Sequence, residues 1–154
     1  MLVLYYLFLI PITLFVLLAL LRTYQTQHKF LQKDFLKGTI PNPLPNGPYK
    51  GGVANLKVTW QGKSFDAKNN TGINKFKVGD KEVEKYPFKT YVAKGLQDNI
   101  DVIKIDYNIR QNPWWLRIVL DEIVKTGEDE FLGKVHMRLI PGLPFSLGYF
   151  TLKK

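Results

Sequence analysis

The first 21 residues, Met1 to Leu21, contain no charged side chain. A helix of that length reaches about 30 Å at about 1.5 Å per residue, the thickness of a bilayer's hydrocarbon layer. Pro11 stands near its middle. A proline there breaks a soluble helix, but a membrane span tolerates it because neighbouring structure re-satisfies the freed backbone groups. Tyr5 and Tyr6 lie too deep for interfacial anchors, whereas Tyr24 sits where an aromatic belt would. The competing reading is a cleaved secretory signal, which needs a basic start, an apolar core of about 7–15 residues and small residues at the cut. This segment has no Lys or Arg before its core, its core is longer, and it ends Ala19-Leu20-Leu21-Arg22. The expectation is a single-pass transmembrane anchor over residues 1–21.

All charge therefore lies behind the anchor, including the formal +9 of the 154-residue chain. Arg22, Lys29, Lys33 and Lys37 face one acid, Asp34, within residues 22–38. Basic residues just behind a span mark the cytoplasmic side, which predicts a domain facing the cytoplasm or an organelle interior. Phe30, Leu31 and Phe35 give the same stretch an apolar edge, with Gly38 as a stop. It reads either as a basic amphipathic stem lying on anionic lipid or as a solvated spacer. Pro41, Pro43, Pro45 and Pro48 make residues 39–48 an extended linker. The chain has no cysteine, which excludes a disulfide scaffold, a thiolate nucleophile and Cys-ligated zinc. Asn69-Asn70-Thr71 would be a glycosylation acceptor only in a secretory setting.

From residue 49 to 154 the apolar period becomes two. Val58 and Trp60 alternate with Lys57, Thr59 and Gln61. Phe76 and Val78 alternate with Lys75 and Lys77, and Ile103, Ile105, Tyr107 and Ile109 with Lys104, Asp106, Asn108 and Arg110. Phe131, Val135, Met137 and Leu139 oppose Lys134, His136 and Arg138. These read as antiparallel strands with one face buried and one wet. Turn signals fall at Gly51-Gly52, Asn69 to Gly72, Gly79-Asp80, Thr126 to Asp129, and Pro141-Gly142. One helix is expected from Trp114 to about Leu120, capped by Asn112 and opened by Pro113. About seven short strands with one short helix predict a mainly β domain, a small antiparallel barrel or a strongly curved sheet.

Catalytic signatures are missing. Gly62-Lys63-Ser64 resembles the end of a phosphate loop, but Lys57 stands where that loop needs glycine, so the triplet reads as a turn. His28 falls in the stem and His136 on a polar strand face, where a surface role outweighs that of a general base. Asp121 and Glu122 are adjacent and diverge, so they form no carboxylate pair; Asp101 and Asp106 diverge for the same reason. An acid of these strands is expected to pair with Arg117 or Arg110. The lysines are spread rather than focused and no nucleic-acid motif accompanies them, so lipid outranks nucleic acid as the partner of the positive charge. No metal and no cofactor is expected.

The aromatic residues Trp60, Trp114, Trp115, Phe145, Tyr149 and Phe150 carry the remaining signal. Adjacent tryptophans on a short helix suit one inward and one outward role, which makes Trp114-Trp115 a candidate lid over a barrel mouth or a plug in a filled core. Trp60-Gln61-Gly62-Lys63-Ser64-Phe65, Phe131-Leu132-Gly133-Lys134 and Gly148-Tyr149-Phe150-Thr151-Leu152 resemble small bacterial lipocalin-like proteins over residues 49–152. That resemblance implies an antiparallel barrel enclosing an apolar small molecule and no catalytic residues. The expected lining or lid is Trp60, Phe76, Ile103, Ile105, Tyr107, Trp114, Trp115, Met137 and Tyr149. A membrane-tethered module for a lipid or other apolar small molecule leads. A structural or assembly factor docking onto a membrane protein complex comes second, and a small enzyme using Asp106, Arg110 or His136 third.

Overall fold

The computed structural model describes residues 2–53 and 59–154, with side chains from Leu7 onward. Lys57, Val58 and the side chains of Tyr5 and Tyr6 lie outside the described residues. The elements are α1 (Leu2–Gln27), α2 (Phe30–Lys37), β1 (Gly47–Gly52), β2 (Trp60–Asp66), β3 (Thr71–Val78), β4 (Lys81–Lys94), β5 (Asp101–Asp106), α3 (Trp114–Arg117), β6 (Val119–Gly127), β7 (Glu130–Ile140) and β8 (Leu143–Lys153). Each strand pairs antiparallel with the next, and β8 returns to β1 to close a barrel of eight strands. Closure pairs every strand with two neighbours, although Lys81–Phe88 of β4 pairs with β3 alone, since its pairing with β5 begins at Lys89.

Glycines read as turns prove to lie within strands. Gly51 and Gly52 end β1, and Gly62-Lys63-Ser64 runs through β2. At Gly51 a Cβ would lie 2.4 Å from the Trp60 indole, so the missing side chain makes room for a ring rather than for a chain reversal. Gly62 has φ +133 at a register shift between Trp60 and Gly62, a bulge that only glycine accommodates comfortably. β5 stops at Asp106, short of the alternation that runs to Arg110. The Asp106 carboxylate accepts the Asn108 N–H at 2.9 Å, and the Ile109 N–H bonds the Tyr107 carbonyl at 2.8 Å, so local turn bonds replace the ladder. Asn112 does not cap α3; its amide donates to the carbonyls of Pro87 at 2.8 Å and Tyr107 at 2.9 Å.

Odd-numbered strands finish, and even-numbered strands start, at one end of the barrel. The other end is filled by Tyr49, Phe65, Phe88, Ile103, Ile105, Ile123, Phe131 and Leu152, all buried in one cluster. Burial of eight large apolar side chains at about 1.5–3 kcal/mol each makes this filled half the main source of the barrel's stability.

α1 continues without a break through Leu21 to Gln27 and keeps Pro11 inside it. It is long and apolar enough to cross a membrane. Leu7 to Leu18 are exposed on almost every side, and contact with the barrel begins at buried Ala19. From there α1 lies along β8. Another bulge explains why. His136 pairs with Ser146 and Val135 with Gly148, so Leu147 is extra. The backbone groups that the bulge frees are taken by the helix: the Ser146 N–H donates to Thr23 Oγ1 at 3.0 Å, and Arg22 Nε donates to the Leu147 carbonyl at 2.7 Å. α2 follows, burying Phe35 against Val102, Val124, Leu132 and Tyr149. Gly38 ends α2 in an extended rather than a left-handed conformation, and its missing Cβ leaves room for Val124.

Candidate functional site

Four polar side chains meet inside the barrel: Lys63 from β2, Asn74 from β3, Tyr107 just after β5 and Asp121 from β6. The bulge at Gly62 is what brings Lys63 inside. Strict alternation from inward-facing Trp60 would send residue 63 outward, and the extra residue reverses the parity. The Lys63 ammonium lies 3.0 Å from Asp121 Oδ2, donates to Asn74 Oδ1 at 2.9 Å and also donates to the Tyr107 hydroxyl. Tyr107 in turn donates to Asp121 Oδ2 at 3.1 Å. Asn74 receives the Trp60 indole N–H at 3.1 Å and gives its amide to the Tyr86 carbonyl at 2.9 Å. Lys63 is only 2% exposed. Its ammonium sits 5.1–5.3 Å from the ring centroids of Trp60, Phe88, Tyr107 and Phe150, a cation–π enclosure. Burial pushes the Lys63 amine below its usual range, and the adjacent Asp121 carboxylate opposes that shift. Burial, reinforced by the Asp121 charge, pushes the Tyr107 phenol well above its usual range, so it remains a donor.

This quartet forms the floor of an open cavity of about 400 Å³. Its walls are Val53, Trp60, Phe76, Tyr86, Trp115, Leu116, Val119, Val135 and Phe150; Phe150 belongs to the core cluster, and Val53, Trp60, Leu116, Val119 and Val135 pack on it, so the cavity opens directly above the filled half. Tyr86 has φ +61, rare for a bulky residue, and stands at the register shift between Ile73 and Asn74. Strain of this kind, of order 1–3 kcal/mol, collects at functional sites. Here it turns the Tyr86 carbonyl to Asn74 and its ring to the wall, edge-on to Phe76 and Trp115. Gly133 keeps the cavity's far wall in place, since a Cβ there would fall 2.1 Å from the Phe150 ring.

Of the residues expected to line the barrel, Trp60, Phe76, Tyr107 and Trp115 line the cavity. Ile103 and Ile105 face inward but belong to the filled half beneath it. Met137 is half-buried and off the cavity wall, and Trp114 is 76% exposed outside it. Tyr149 is on the outer face of β8, packed with Phe35 under the helices. Arg22, Lys29, Lys33 and Lys37 are exposed. Lys63, Asn74 and Asp121 were missed as site residues. Asp121 pairs with Lys63 rather than with Arg117, which donates to the carbonyls of Asn112 and Arg110. Its inward parity with Val119 and Ile123 was the available signal.

A second buried polar layer lies on the outer face of β5–β8. Glu122 bonds Lys104, the Leu96 N–H at 2.7 Å and His136 Nε2 at 3.1 Å. His136 Nδ1 lies 3.2 Å from Ser146 Oγ, which donates to Gln97 Oε1. Lys134 pairs with Asp98 and faces the Phe35 ring at 4.5 Å, and Asp98 also accepts from Gln32 at 2.7 Å. The surface reading of His136 and Lys134 is therefore wrong: both are fully buried, because α1, α2 and the segment around Gln97 and Asp98 cover this face. Burial alone would raise the Glu122 carboxyl, but the hydrogen bonds and charges of His136 and Lys104 outweigh it and hold it at about 2. Ser146, His136 and Glu122 line up in sequence, yet all three are sealed from solvent, so no substrate reaches them. Among the described residues no group of His, Asp or Glu is placed to hold a metal ion.

No family model, no curated protein and no solved structure matches this chain.

Proposed function

We propose that the chain is a membrane-tethered binding module for an uncharged apolar small molecule, a lipid or a compound of similar character. The observation that carries this reading is the open cavity of about 400 Å³ with aromatic and aliphatic walls and a polar floor, the form typical of small-molecule sites. Eight-stranded up-and-down barrels, lipocalins among them, are just wide enough for one such ligand, which agrees with the resemblance at residues 49–152. The floor selects for lack of charge. Lys63 and Asp121 neutralise one another, so a charged ligand would enter the interior without a counter-ion, at a cost of several kcal/mol. A neutral apolar molecule meets no such penalty, since the polar atoms of the floor are already paired with one another.

The tether supports the same reading. α1 as a single-pass span, with Arg22, Lys29, Lys33 and Lys37 placing the barrel on the cytoplasmic side, keeps the cavity close to a reservoir of apolar molecules. Convergence of Lys63, Tyr107 and Asp121 favours a second reading, an enzyme acting on the same ligand. Against it, these groups are bonded to one another and leave no free base or nucleophile.

Native mass spectrometry of the detergent-purified chain, with organic extraction, tests the reading. One neutral molecule per chain is expected, lost when Val119→Trp fills the cavity. Absence of any extractable molecule and of saturable binding of a neutral apolar probe would overturn it. An empty cavity together with a stoichiometric protein partner would favour the assembly-factor role, and a ligand recovered chemically altered would favour the enzyme.

A further inference from the structure

The direction in which α1 leaves the barrel relates the cavity to the span. α1 packs on β8, where Thr23 meets Ser146 and Thr26 meets both Ser146 and, further along, Tyr149, so the helix advances in the direction of the strand. The helix residues before Ala19 therefore project past the start of β8. That is the end at which β7 finishes and β6 begins, the end that holds the cavity wall at Val119 and Trp115. Residues 2–18 continue beyond it as helix for about 25 Å at about 1.5 Å per residue, with Leu7 to Leu18 exposed apart from half-buried Val16.

The rim beside that exit is apolar. Trp114 is 76% exposed and Trp115 47%, and Leu139 and Leu143 are 45% and 38% exposed. These residues share one sector: β7 and β8 are paired neighbours, and α3 joins the end of β7 through the bond from the Arg138 N–H to the Ile118 carbonyl at 2.8 Å. Two exposed tryptophans with leucines, next to a helix able to span a bilayer, have the composition of an interfacial anchor. The opposite end carries α2, docked at Val124 with Thr39 bridged to Lys125.

We propose that the open rim at Trp114, Trp115, Leu139 and Leu143 sits in the headgroup region of the bilayer that α1 crosses, and that the cavity takes its ligand laterally from that leaflet. The inference rests on the readings of α1 as a span and of the cavity as a ligand site. Its geometry also revises the role expected of the basic stem. Of the four cations, Arg22 alone lies close to the rim. Lys29, Lys33 and Lys37 start about 10 Å further along the helix path, at the far end of the barrel, and face water.

The test uses the full chain in phosphatidylcholine vesicles and no ligand, so it can fail while ligand binding succeeds. Tryptophan fluorescence is compared for the wild type and Trp114→Phe, the difference isolating an exposed residue whose loss leaves the fold intact. A nitroxide placed on the lipid acyl chain near the headgroup is expected to quench the Trp114 signal about twofold or more, while aqueous iodide has little effect. Quenching by iodide and not by lipid would overturn the proposal. Protection from both, which a protein seated on the rim would give, would overturn it as well. The absence of cysteine permits a second measurement: a polarity-sensitive dye on Leu139→Cys should emit further to the blue in vesicles than the same dye on Lys33→Cys. Equal or reversed emission counts against the placement.

Discussion

Asp121 and Glu122 are neighbours in the chain and anchor two opposite kinds of buried charge. Asp121 points into the barrel and meets Lys63 at the floor of an open cavity. Glu122 points outward and meets Lys104 and His136 beneath the segment at Leu96, buried from solvent. Each network is hydrogen-bonded almost to completion, yet only the first leaves adjacent space for another molecule. The contrast shows that buried ionic groups here serve two ends. The outer network fixes how the covering chain seats on the barrel; the inner one closes the floor of the cavity with its polar atoms turned to one another.

The outer network should be the less forgiving. Glu122→Ala strips Lys104 of its counter-ion and His136 of a hydrogen-bond partner in a sealed layer, and a loss of about 3–5 kcal/mol is expected from urea denaturation in detergent. Acid should act through the same carboxylate. Its pKa is held at about 2 in the folded chain against an ordinary 4.5, so its contribution is fully present above pH 4.5 and fades as pH falls towards 2. The expected loss is about 3 kcal/mol, and it should be absent from Glu122→Gln, whose own starting stability is lower. Asp121→Ala should cost less, about 1–3 kcal/mol, because water can enter the cavity and solvate Lys63. Equal costs for the two alanine variants would break the contrast.

Replacing the inner pair altogether sharpens it. Lys63→Met with Asp121→Leu should change stability by about 1 kcal/mol or less, since a buried pair exchanged for apolar groups is often neutral. The same protein should keep its binding of a neutral apolar probe and lose its discrimination against charged ones, read as relative dissociation constants of matched probes. Smallest of all, Thr23→Val leaves the Ser146 N–H without its partner and should cost about 1 kcal/mol with no change in ligand binding.

Much of this architecture was legible in the alternation of single strands. The turns at Thr126 to Asp129, Gly79-Asp80 and Pro141-Gly142 fall where the pattern places them, whereas α3 starts at Trp114 as expected but stops at Arg117, with Val119 and Leu120 already in β6. The parity argument that separates Asp121 from Glu122 holds as well, and it is what assigns them to different networks. What could not be read depends on irregularities and on distant cover. Lys63 is inward only because a bulge at Gly62 reverses the count from Trp60, and a glycine inside a strand looks the same as one in a turn. His136 and Lys134 look like a wet strand face because the chain that covers them, from Thr26 to Gln32 and around Gln97, is far away in sequence. Tyr149 faces outward because the bulge at Leu147 reverses the parity along β8, and nothing in the sequence marks that bulge.

The most direct test of the central claim, that the hollow half of the barrel holds an apolar molecule, is a titration of the delipidated chain with N-phenyl-1-naphthylamine, a neutral fluorescent probe. The account predicts saturable binding of one probe per chain, with energy transfer from Trp60 and Trp115, and its loss in both Val119→Trp and Val135→Trp. Binding that never saturates, or that persists undiminished in both filled variants, would contradict it.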